Sequence, residues 1–404
     1  MHLKTNTLYI LSGLPGSGKS TFLKRNNIPS EMIISMDSIR EQLLGTYPRH
    51  TEEEGWFEGI HQSANQAVFD LTLAMLDVRM KEGLTTFIDS TALSDRTRLR
   101  WAEVARKHKM PVEVLIFDTP LALVVQQNIQ RERKVPDSVV KNMAGRLSLS
   151  SELPYRVISE SNALKPIKFK SRWHINTKEK PLLVVGDVHG NFDAALNLMR
   201  SVQEVEPDFN TLWLGDFVNK GTQSLQMLDF IISGTEGGFF FPIIGNHEQR
   251  LVESYFLQKD HGLNSLKDTA SKETIEALLK RSKSEQYKII NFLESLPHFY
   301  TFKTRDDNWV GLHANIHCFD LKSTLKTHCI MGFDEPGEDC DSQYEHLYNT
   351  GVNRYKLVRG HRLPSSDKSL KSVVSLENGS MTEKVLSAML VKENGELRQF
   401  RMNY

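Results

Sequence analysis

The strongest constraint on the fold is a series of short apolar runs in the second half of the chain, each ending in potential metal ligands. The first run leads through a glycine into Asp187-Val-His189-Gly190, and it has the character of a buried parallel strand. One Asp and one His cannot hold a catalytic metal pair, so further ligands must come from elsewhere. Later apolar runs end at Asp216, Asn246, His313 and His361. Strand tips that converge in this way predict a two-metal hydrolase site.

The ordered series resembles the calcineurin-like metallophosphatases, from about Leu182 to the C-terminus. The resemblance implies a β-sandwich flanked by helices and two divalent cations, with Mn²⁺ as the expected metal. His247, which follows one ligand directly, is the expected proton donor to the leaving oxygen; core packing is the alternative for any single histidine. The implied metal ligands are Asp216 as the bridge, Asp187 and His189 on one metal, Asn246 and His313 on the other, and His361 on either.

Two residues depart from the pattern of this family. The family usually reads Gly-Asp-x-Val-Asp-Arg-Gly, where this chain has Asn219 and Lys220 in place of the second Asp and the Arg. An amide cannot stabilise a charged His247 as a carboxylate does, and a lysine lacks the planar fork that matches phosphate oxygens. We therefore expect slow hydrolysis of 3′-phosphomonoesters and faster hydrolysis of cyclic phosphates or activated aryl esters. The alternative is a site re-tuned around both residues without loss.

The first half of the chain alternates strand and helix patterns, which predicts an α/β domain with a parallel sheet and helices on both faces. The length of 404 residues suits two domains. We place the first at residues 1–165, a linker at 166–180 and the second at 181–404, because periodicity fades after Leu149. The basic run Lys165–Arg172 in this linker is expected to be solvated, with phosphate contact as the alternative.

Composition limits the choice of partners and compartment. The formal net charge is zero, so binding of nucleic acid must depend on local basic patches. We interpret the three cysteines (Cys318, Cys329 and Cys340) as reduced thiols in a cytoplasmic protein. A zinc site formed by them with His317 and His328 is the alternative. No apolar run reaches the length of a membrane span, so we expect no membrane partner.

A phosphate-binding loop opens the chain. The stretch from Gly13 to Thr21 fits G-x-x-x-x-G-K-[ST] and lies between a predicted strand and a predicted helix. In such loops the backbone N–H groups hold the phosphates of ATP or another nucleoside triphosphate. Lys19 supplies a positive charge and Ser20 a hydroxyl for Mg²⁺. The nucleotide-binding residues are therefore Gly13, Gly16, Ser17, Gly18, Lys19, Ser20 and Thr21.

Acidic and basic residues that follow the next strands complete a candidate kinase site. Asp37 comes just after the second predicted strand, where it can accept the proton of an attacking hydroxyl. Helix capping is the alternative for this residue. Arg40 can hold an acceptor phosphate, and Asp89, at the end of the third strand, can approach Mg²⁺. Arg131 and Arg133 suit a lid over the transferring phosphate, with a solvated helix face as the alternative.

With these residues the first 150 or so positions resemble the 5′-polynucleotide kinases. The resemblance implies Asp37 as general base, Arg40 on the acceptor phosphate, and Arg131 and Arg133 on the phosphates of ATP. One departure is that the Asp-x-Thr-Asn of the family ends in Ala92 here, which removes an amide that contacts the acceptor. Joined to a calcineurin-like phosphatase, the chain resembles bacterial and phage enzymes that heal RNA ends.

The sequence thus predicts a two-domain enzyme that phosphorylates 5′-hydroxyl ends with ATP and removes 3′-phosphate or 2′,3′-cyclic phosphate ends. We expect RNA in preference to DNA, and a separate ligase acting on the products, because the chain has no ligase pattern. The basic stretch Arg96–Lys109 favours a polyanion. One alternative is a small-molecule kinase fused to a nucleotide phosphatase. Another is a serine/threonine-type protein phosphatase gated by ATP. The sequence leaves the oligomeric state open.

Overall fold

The structure is a computed structural model that describes residues 1–51, 55–61, 63–130, 135–150, 152–159, 165–316, 324–332, 339–361, 370–377 and 384–403. The chain divides into two compact units. The first covers Met1–Arg172 and the second begins at Trp173. The first unit has the alternation of strands and helices that the sequence predicts for an α/β domain.

The first unit is built around a parallel five-stranded sheet. The strands of the first unit are β1 (His2–Lys4), β2 (Leu8–Ser12), β3 (Ile33–Ser35), β4 (Thr46–Thr51), β5 (Gly55–Ile60), β6 (Thr86–Asp89), β7 (Val112–Phe117), β8 (Tyr155–Ile158) and β9 (Lys168–Lys170). The sheet has the order β3-β6-β2-β7-β8, and every neighbouring pair is parallel. β2 is therefore central, and the loop after it lies between the carboxyl ends of β6 and β7, where ligands bind in such sheets.

Helices cover both faces of this sheet. They are α1 (Lys19–Arg25), α2 (Met36–Leu44), α3 (Asn65–Lys81), α4 (Asp95–Lys107), α5 (Leu121–Ile129) and α6 (Asp137–Ala144). Successive residues of β2 enter different cores: Leu8 and Ile10 pack with α3 and α4, whereas Tyr9 and Leu11 pack with α1. This alternation follows from the period of two residues in a strand, and it explains why all five residues of β2 are buried.

Two smaller pairings were not predicted. β4 and β5 form an antiparallel hairpin between α2 and α3. β9 pairs in parallel with β1, so that Phe169 lies opposite Leu3. The basic run treated as a solvated linker thus contains a strand, because Phe169 packs beside the core of the first unit.

The second unit contains two five-stranded sheets. Its strands are β10 (His174–Ile175), β11 (Leu182–Val185), β12 (Asn210–Trp213), β13 (Phe240–Pro242), β14 (Phe299–Lys303), β15 (Asn308–Leu312), β16 (Lys356–Arg359), β17 (Val373–Ser375), β18 (Val385–Val391) and β19 (Leu397–Asn403). One sheet has the order β13-β12-β11-β18-β19 and the other β10-β14-β15-β16-β17. The sheets pack closely at Gly311, where an added Cβ would lie 2.6 Å from Leu212 Cδ2 of the facing sheet. This is the predicted β-sandwich.

Helices flank the sandwich. They are α7 (Phe192–Gln203), α8 (Ser224–Glu236), α9 (Asn246–His261), α10 (Thr269–Leu279), α11 (Lys283–Ser295), α12 (Lys326–Met331) and α13 (Cys340–Asn349). Apolar residues of α7 to α11 form one large core with the sheet that contains β11 and β12. Within this sheet β11, β12 and β13 are parallel, and β15 and β16 are parallel in the other. The predicted metal-binding side chains follow these five strands.

Among the described helices, none is long and apolar enough to cross a membrane. Within the described ranges Cys329 and Cys340 form no disulfide and belong to no potential metal cluster. Cys318 and His317, which the zinc alternative also requires, lie outside the described residues. A cytoplasmic location stays a prediction.

Candidate active sites

The phosphate-binding loop connects β2 to α1, as its motif predicts. Gly13, Gly16 and Gly18 all have positive φ, at 157°, 84° and 91°, a conformation that glycine adopts readily. The loop curls around Lys19, whose ammonium donates to the carbonyl oxygens of Gly13 and Leu14 at 2.8 Å each. Lys19 is largely buried in this arrangement. Its charge is therefore held inside the loop, within the backbone that would surround a phosphate.

Two candidate magnesium ligands meet beside this loop. The Ser20 hydroxyl, in the first turn of α1, donates to Asp89 Oδ2 at 3.0 Å. Asp89 is the last residue of β6, the strand next to β2. A hydroxyl and a carboxylate at this separation fit Mg²⁺, which binds few protein oxygens and retains several waters. Ser17 is buried, whereas Thr21 lies at the exposed surface of α1.

Asp37 and Arg40 form an ion pair at the start of α2. Arg40 Nη1 lies 2.8 Å from Asp37 Oδ1, and the Arg40 guanidinium also donates to Asn65 Oδ1. The cap of α2 is Ser35, whose hydroxyl accepts from the N–H of Ser38. Capping therefore does not explain Asp37, and that alternative is wrong. The Asp37 side chain is 59% exposed, so its carboxylate is accessible to an acceptor.

Arg131 and Arg133 lie outside the described residues, and their predicted lid role stays a prediction. Asn128, which precedes them in the chain, is hydrogen-bonded to Val135, which follows them. This buried side chain donates to Val135 O at 2.6 Å and accepts from Val135 N at 3.1 Å. Sequence reasoning identified Asn128 only as part of a motif and missed this contact, which fixes the ends of the segment relative to one another.

The predicted metal ligands converge at the carboxyl ends of five strands in both sheets of the second unit. These side chains form two groups, and within each group the ligand atoms lie within 4.8 Å of one another. Asp216 is the residue that both groups share, a position suited to a bridging carboxylate. The first group is Asp187, Asp216, His313 and His361, and the second is His189, Asp216 and His247.

Asn246 lies beside the first group. One end of its side-chain amide is 2.9 Å from His313 Nε2, 3.2 Å from His361 Nδ1, and 3.0 and 3.2 Å from the two Asp216 oxygens. His313 Nδ1 lies 2.8 Å from the carbonyl oxygen of Leu214, and donation there leaves Nε2 free to act as a ligand. Carboxylate, imidazole and amide atoms that face one another without a fixed donor suit a divalent cation.

The charges of the buried groups also fit a cation. Burial opposes protonation of His313, but the Asp216 and Asp187 carboxylates outweigh it and raise the pKa of His313 to about 10. Burial raises the pKa of Asp187 well above its usual range, and burial lowers the pKa of His189 to about 3. The carboxylates thus demand a compensating positive charge, and His189, neutral with its Nδ1 buried and unpartnered, can supply a lone pair.

Glu248 organises the backbone around Asp216, a role that sequence reasoning missed. Its Oε2 accepts from the N–H groups of Asp216 and Gly245, at 2.7 and 2.9 Å. Its Oε1 accepts from Phe217 and Val218, at 3.0 and 3.2 Å. The Gly-Asn-His-Glu sequence contained the signal, because a Glu at the third position of a helix often accepts backbone N–H bonds at the helix start.

Gly360 allows Asp187 to occupy its position. A Cβ added to Gly360 would lie 2.1 Å from Asp187 Oδ1, and the N–H of His361 donates to both oxygens of the same carboxylate. His189, Asp216 and His361 all have positive φ, at 49°, 48° and 52°. Such a backbone is unfavourable for residues with a side chain by about 1–3 kcal/mol and recurs at functional sites.

The two residues that depart from the family pattern both contact histidines. Lys220 Nζ lies 3.2 Å from His189 Nε2. Asn219 is fully buried, and its side-chain nitrogen lies 3.2 Å from His247 Nδ1. Burial lowers the pKa of His247. His298 packs against the rings of Trp173 and Phe299, which also contact each other.

Comparison with known families agrees with this geometry. A family model described as calcineurin-like phosphoesterase matches residues 180–387, which is over half of the chain. A second model, described as an AAA domain, matches residues 8–150. The chain belongs to the calcineurin-like phosphoesterases, with a P-loop kinase-like domain fused ahead of the metallophosphatase domain.

Individual relatives match one domain at a time. The L-seryl-tRNA(Sec) kinase of Methanococcus maripaludis is 29% identical over 143 residues, which are 34% of this chain and 50% of that protein. The symmetrical bis(5'-nucleosyl)-tetraphosphatase of Buchnera aphidicola is 34% identical over 83 residues, 20% of this chain and 29% of that protein. The serine/threonine-protein phosphatase PP1-delta of Caenorhabditis elegans is 36% identical over 84 residues, 20% of this chain and 27% of that protein. The chain spans half or less of each.

Proposed function

We propose that the protein is a bifunctional enzyme that heals nucleic-acid ends, with RNA as the preferred substrate. The kinase-like domain phosphorylates 5′-hydroxyl ends, and the metallophosphatase domain removes 2′,3′-cyclic or 3′-phosphates. The observation that carries the proposal is the Asp37–Arg40 ion pair, in which the Asp37 side chain is 59% exposed and open to an acceptor while the Arg40 side chain is 12% exposed. The products would suit a separate ligase.

In the kinase reaction the loop holds the triphosphate, and Lys19 stabilises charge on the transferring phosphoryl group. Ser20 and Asp89 would hold Mg²⁺. Asp37 accepts the proton of the attacking 5′-hydroxyl. Arg40 orients the adjoining phosphate of the acceptor while it remains paired with Asn65. Arg131 and Arg133 are proposed to contact the phosphates of ATP.

An RNA acceptor is supported by two further observations. The first domain is similar to a kinase whose name specifies an RNA-linked serine. The basic side chains of the α4 region are mostly exposed, and they can contact backbone phosphates of a longer substrate. The exposed residues are Arg96, Arg100, Arg106, Lys107 and Lys109.

In the phosphatase reaction two divalent cations, Mn²⁺ by proposal, would bind among the residues that converge at Asp216. When bound, they would polarise the phosphoryl oxygens and acidify the attacking water. The protein residues position these groups: Asp216 lies between the two ligand groups, and Glu248 fixes its backbone. Lys220 would contact a phosphate oxygen instead of His189 Nε2, which lies 3.2 Å from its ammonium nitrogen.

The test is a reaction with ATP, Mg²⁺, Mn²⁺ and a tRNA fragment that carries a 5′-hydroxyl and a 2′,3′-cyclic phosphate, followed by mapping of both termini. The proposal expects a 5′-phosphate and a 3′ end that no longer carries phosphate. No change at either terminus would overturn it.

A nucleotide substrate is the second candidate, supported by the similarity to a bis(5'-nucleosyl)-tetraphosphatase. The two candidates differ in their dependence on salt. Phosphorylation of an oligonucleotide that uses several phosphate contacts falls steeply between 50 and 200 mM salt, whereas phosphorylation of a mononucleoside changes little. Activity on the mononucleoside alone would favour the second candidate.

A further inference from the structure

The two-stranded ribbon of β1 and β9 carries basic side chains on one face. Lys4 lies opposite Lys170 in the pairing of the two strands. Two residues earlier in each strand, His2 lies opposite Lys168. Alternate residues of a strand point to the same face, and all four of these residues are exposed. We call this set the basic face of the ribbon.

The positive charges of this face are uncompensated. Neighbouring strands lie about 4.8 Å apart, so the ammonium groups of Lys4 and Lys170 repel one another across the ribbon. In the described part of the chain, neither these two lysines nor Lys168 form an ion pair with a carboxylate. By contrast, Lys180 pairs with Asp208 at 2.7 Å. Since the whole chain has equal numbers of acidic and basic residues, the face is a local concentration of charge that an anionic partner would stabilise.

The ribbon is attached near the amino ends of the central strands. Between β1 and β2, the Asn6 side chain donates to the carbonyl oxygen of Gly83, just before β6. The N–H of Ile167, just before β9, donates to the Asn26 side chain at the C-terminal end of α1. The phosphate-binding loop lies at the other end of the same sheet. β2 has five residues, so a substrate that contacts both regions must span roughly 17 Å.

The arrangement of the face fits a chain of phosphates better than a membrane. Alternate residues of a strand are about 6.6 Å apart, so the basic side chains cover an area that meets more than one phosphate of a nucleic-acid strand. Leu3 and Phe169, which alternate with the basic residues, pack toward the core of the first unit. The four residues of the basic face therefore include no apolar side chain that could enter a bilayer.

We propose that the basic face of the β1–β9 ribbon binds the phosphate backbone of the RNA acceptor, several nucleotides away from the 5′ end in the kinase site. Each lysine neutralises a phosphate and releases condensed counterions. Such contacts carry no base information, so they should increase affinity for long acceptors of any sequence. A dinucleotide is too short to reach the ribbon from the loop. The inference rests on the proposed nucleic-acid substrate and adds a second contact region for it.

The binding test measures the fluorescence anisotropy of a 3′-labelled, single-stranded RNA with the full chain in the absence of ATP. The RNA has about 20 nucleotides, enough to cover both regions. We expect the combined variant Lys4→Gln, Lys168→Gln and Lys170→Gln to raise Kd about tenfold or more. The slope of log K against log salt should become shallower by about 2, because each lost phosphate contact contributes about 0.7. Arginine at the same three positions retains the charge and should retain the affinity.

A matched control removes the same number of charges elsewhere. It combines Lys81→Gln, Lys178→Gln and Lys280→Gln, all at exposed positions. The net charge of the control equals that of the ribbon variant, so a general electrostatic effect would weaken RNA binding equally in both. We expect the control to bind RNA as the wild type does.

A kinetic measurement adds ATP and Mg²⁺ and compares the long RNA with a dinucleotide, both carrying a 5′-hydroxyl. The ribbon variant should have a KM for the long RNA about tenfold higher, with kcat and the KM for the dinucleotide unchanged. Equal RNA affinity of the ribbon variant and the wild type, or an equal loss in the control, would overturn the inference. So would ribbon-dependent binding to phosphatidylserine vesicles without binding to RNA. Phosphorylation of neither acceptor would instead count against the proposed kinase function, while the anisotropy measurement still decides the role of the ribbon.

Discussion

The two candidate sites of this chain are assembled in different ways. The phosphate-binding loop uses nine consecutive residues, Gly13 to Thr21, and its groups are mainly backbone atoms next to one strand. The metal-binding side chains come from five strand ends between Asp187 and His361, in two sheets. The first arrangement depends on local backbone conformation, whereas the second depends on the packing of a whole domain.

This difference predicts different sensitivities to substitution. Most of the phosphate binding by the loop is expected to use backbone N–H groups. Only the glycines and the few residues with a chemical role should therefore be sensitive to substitution. In the metal-binding region each ligand is held by residues distant in sequence, as Asp216 is by Glu248. Residues outside the motifs should therefore affect the phosphatase site more than the kinase site.

The largest effect is expected for Asp216→Asn. Asp216 belongs to both ligand groups, so losing its charge should weaken both metals and remove several kcal/mol of transition-state stabilisation, about 10³-fold in kcat. Phosphatase assays and metal titration by calorimetry check this. Asp208→Asn, at an exposed position, should match the wild type. Retention of two tightly bound metals by Asp216→Asn would contradict a shared ligand.

Asp37→Asn should lower phosphoryl transfer about 10²-fold while ATP still binds, because the carboxylate contacts the acceptor and not the nucleotide. The measurement combines a kinase assay with nucleotide titration. Asp70→Asn, also exposed on a helix of the same unit, is the matched control. Unchanged transfer would remove Asp37 from the mechanism.

Gly360→Ala tests the close approach to Asp187. The added methyl group would overlap Asp187 Oδ1, so the carboxylate must move, and metal affinity should fall about 10–100-fold, the range found when groups supporting a ligand are lost. Gly351→Ala is a poor comparison because its φ is positive. Gly237→Ala is also sterically restricted, so the control is Gly145→Ala, whose added Cβ meets no atom within 4 Å and whose φ is −68°. Wild-type metal affinity in Gly360→Ala would contradict the packing.

The smallest effect is expected for Glu248→Gln, which replaces one acceptor oxygen by a donor facing backbone N–H groups. Unsatisfied buried groups should destabilise the domain by about 1–3 kcal/mol, without loss of kinase activity. Thermal unfolding measures this, with Glu253→Gln on the exposed side of α9 as the control. Equal melting temperatures of the two variants would show that the Glu248 hydrogen bonds contribute little to the stability of the domain.

Sequence patterns predicted the fold because apolar strands followed by glycine and a polar residue are local signals. Every predicted metal-binding side chain in the second unit follows an apolar strand, and a glycine comes directly before Asp187, Asp216, Asn246 and His361. The pairing of β9 with β1 was not predicted, because a three-residue strand whose partner lies at the other end of the unit leaves no periodic signal. A helix cap likewise cannot be assigned between nearby polar residues from sequence alone, so capping stayed an alternative for Asp37 although Ser35 is the cap.

The supporting contacts of the candidate site could not be predicted for a similar reason. Ser271 and Thr274 lie on a helix where polar residues usually face water, yet both are buried against Asn219. Glu248 was visible in its motif, but its four N–H partners depend on the approach of two strands. The sequence identifies chemical types, and the three-dimensional packing determines which hydrogen bonds orient them.

The most direct test of two independent sites uses one RNA with a 5′-hydroxyl and a 2′,3′-cyclic phosphate. Both termini are mapped after reaction with wild type, Lys19→Ala and Asp187→Ala, with Lys24→Ala as the control on α1. Lys19→Ala should lose 5′ phosphorylation by about 10²-fold or more and keep 3′ processing, and Asp187→Ala should do the reverse. Loss of both activities in either folded variant would contradict the account.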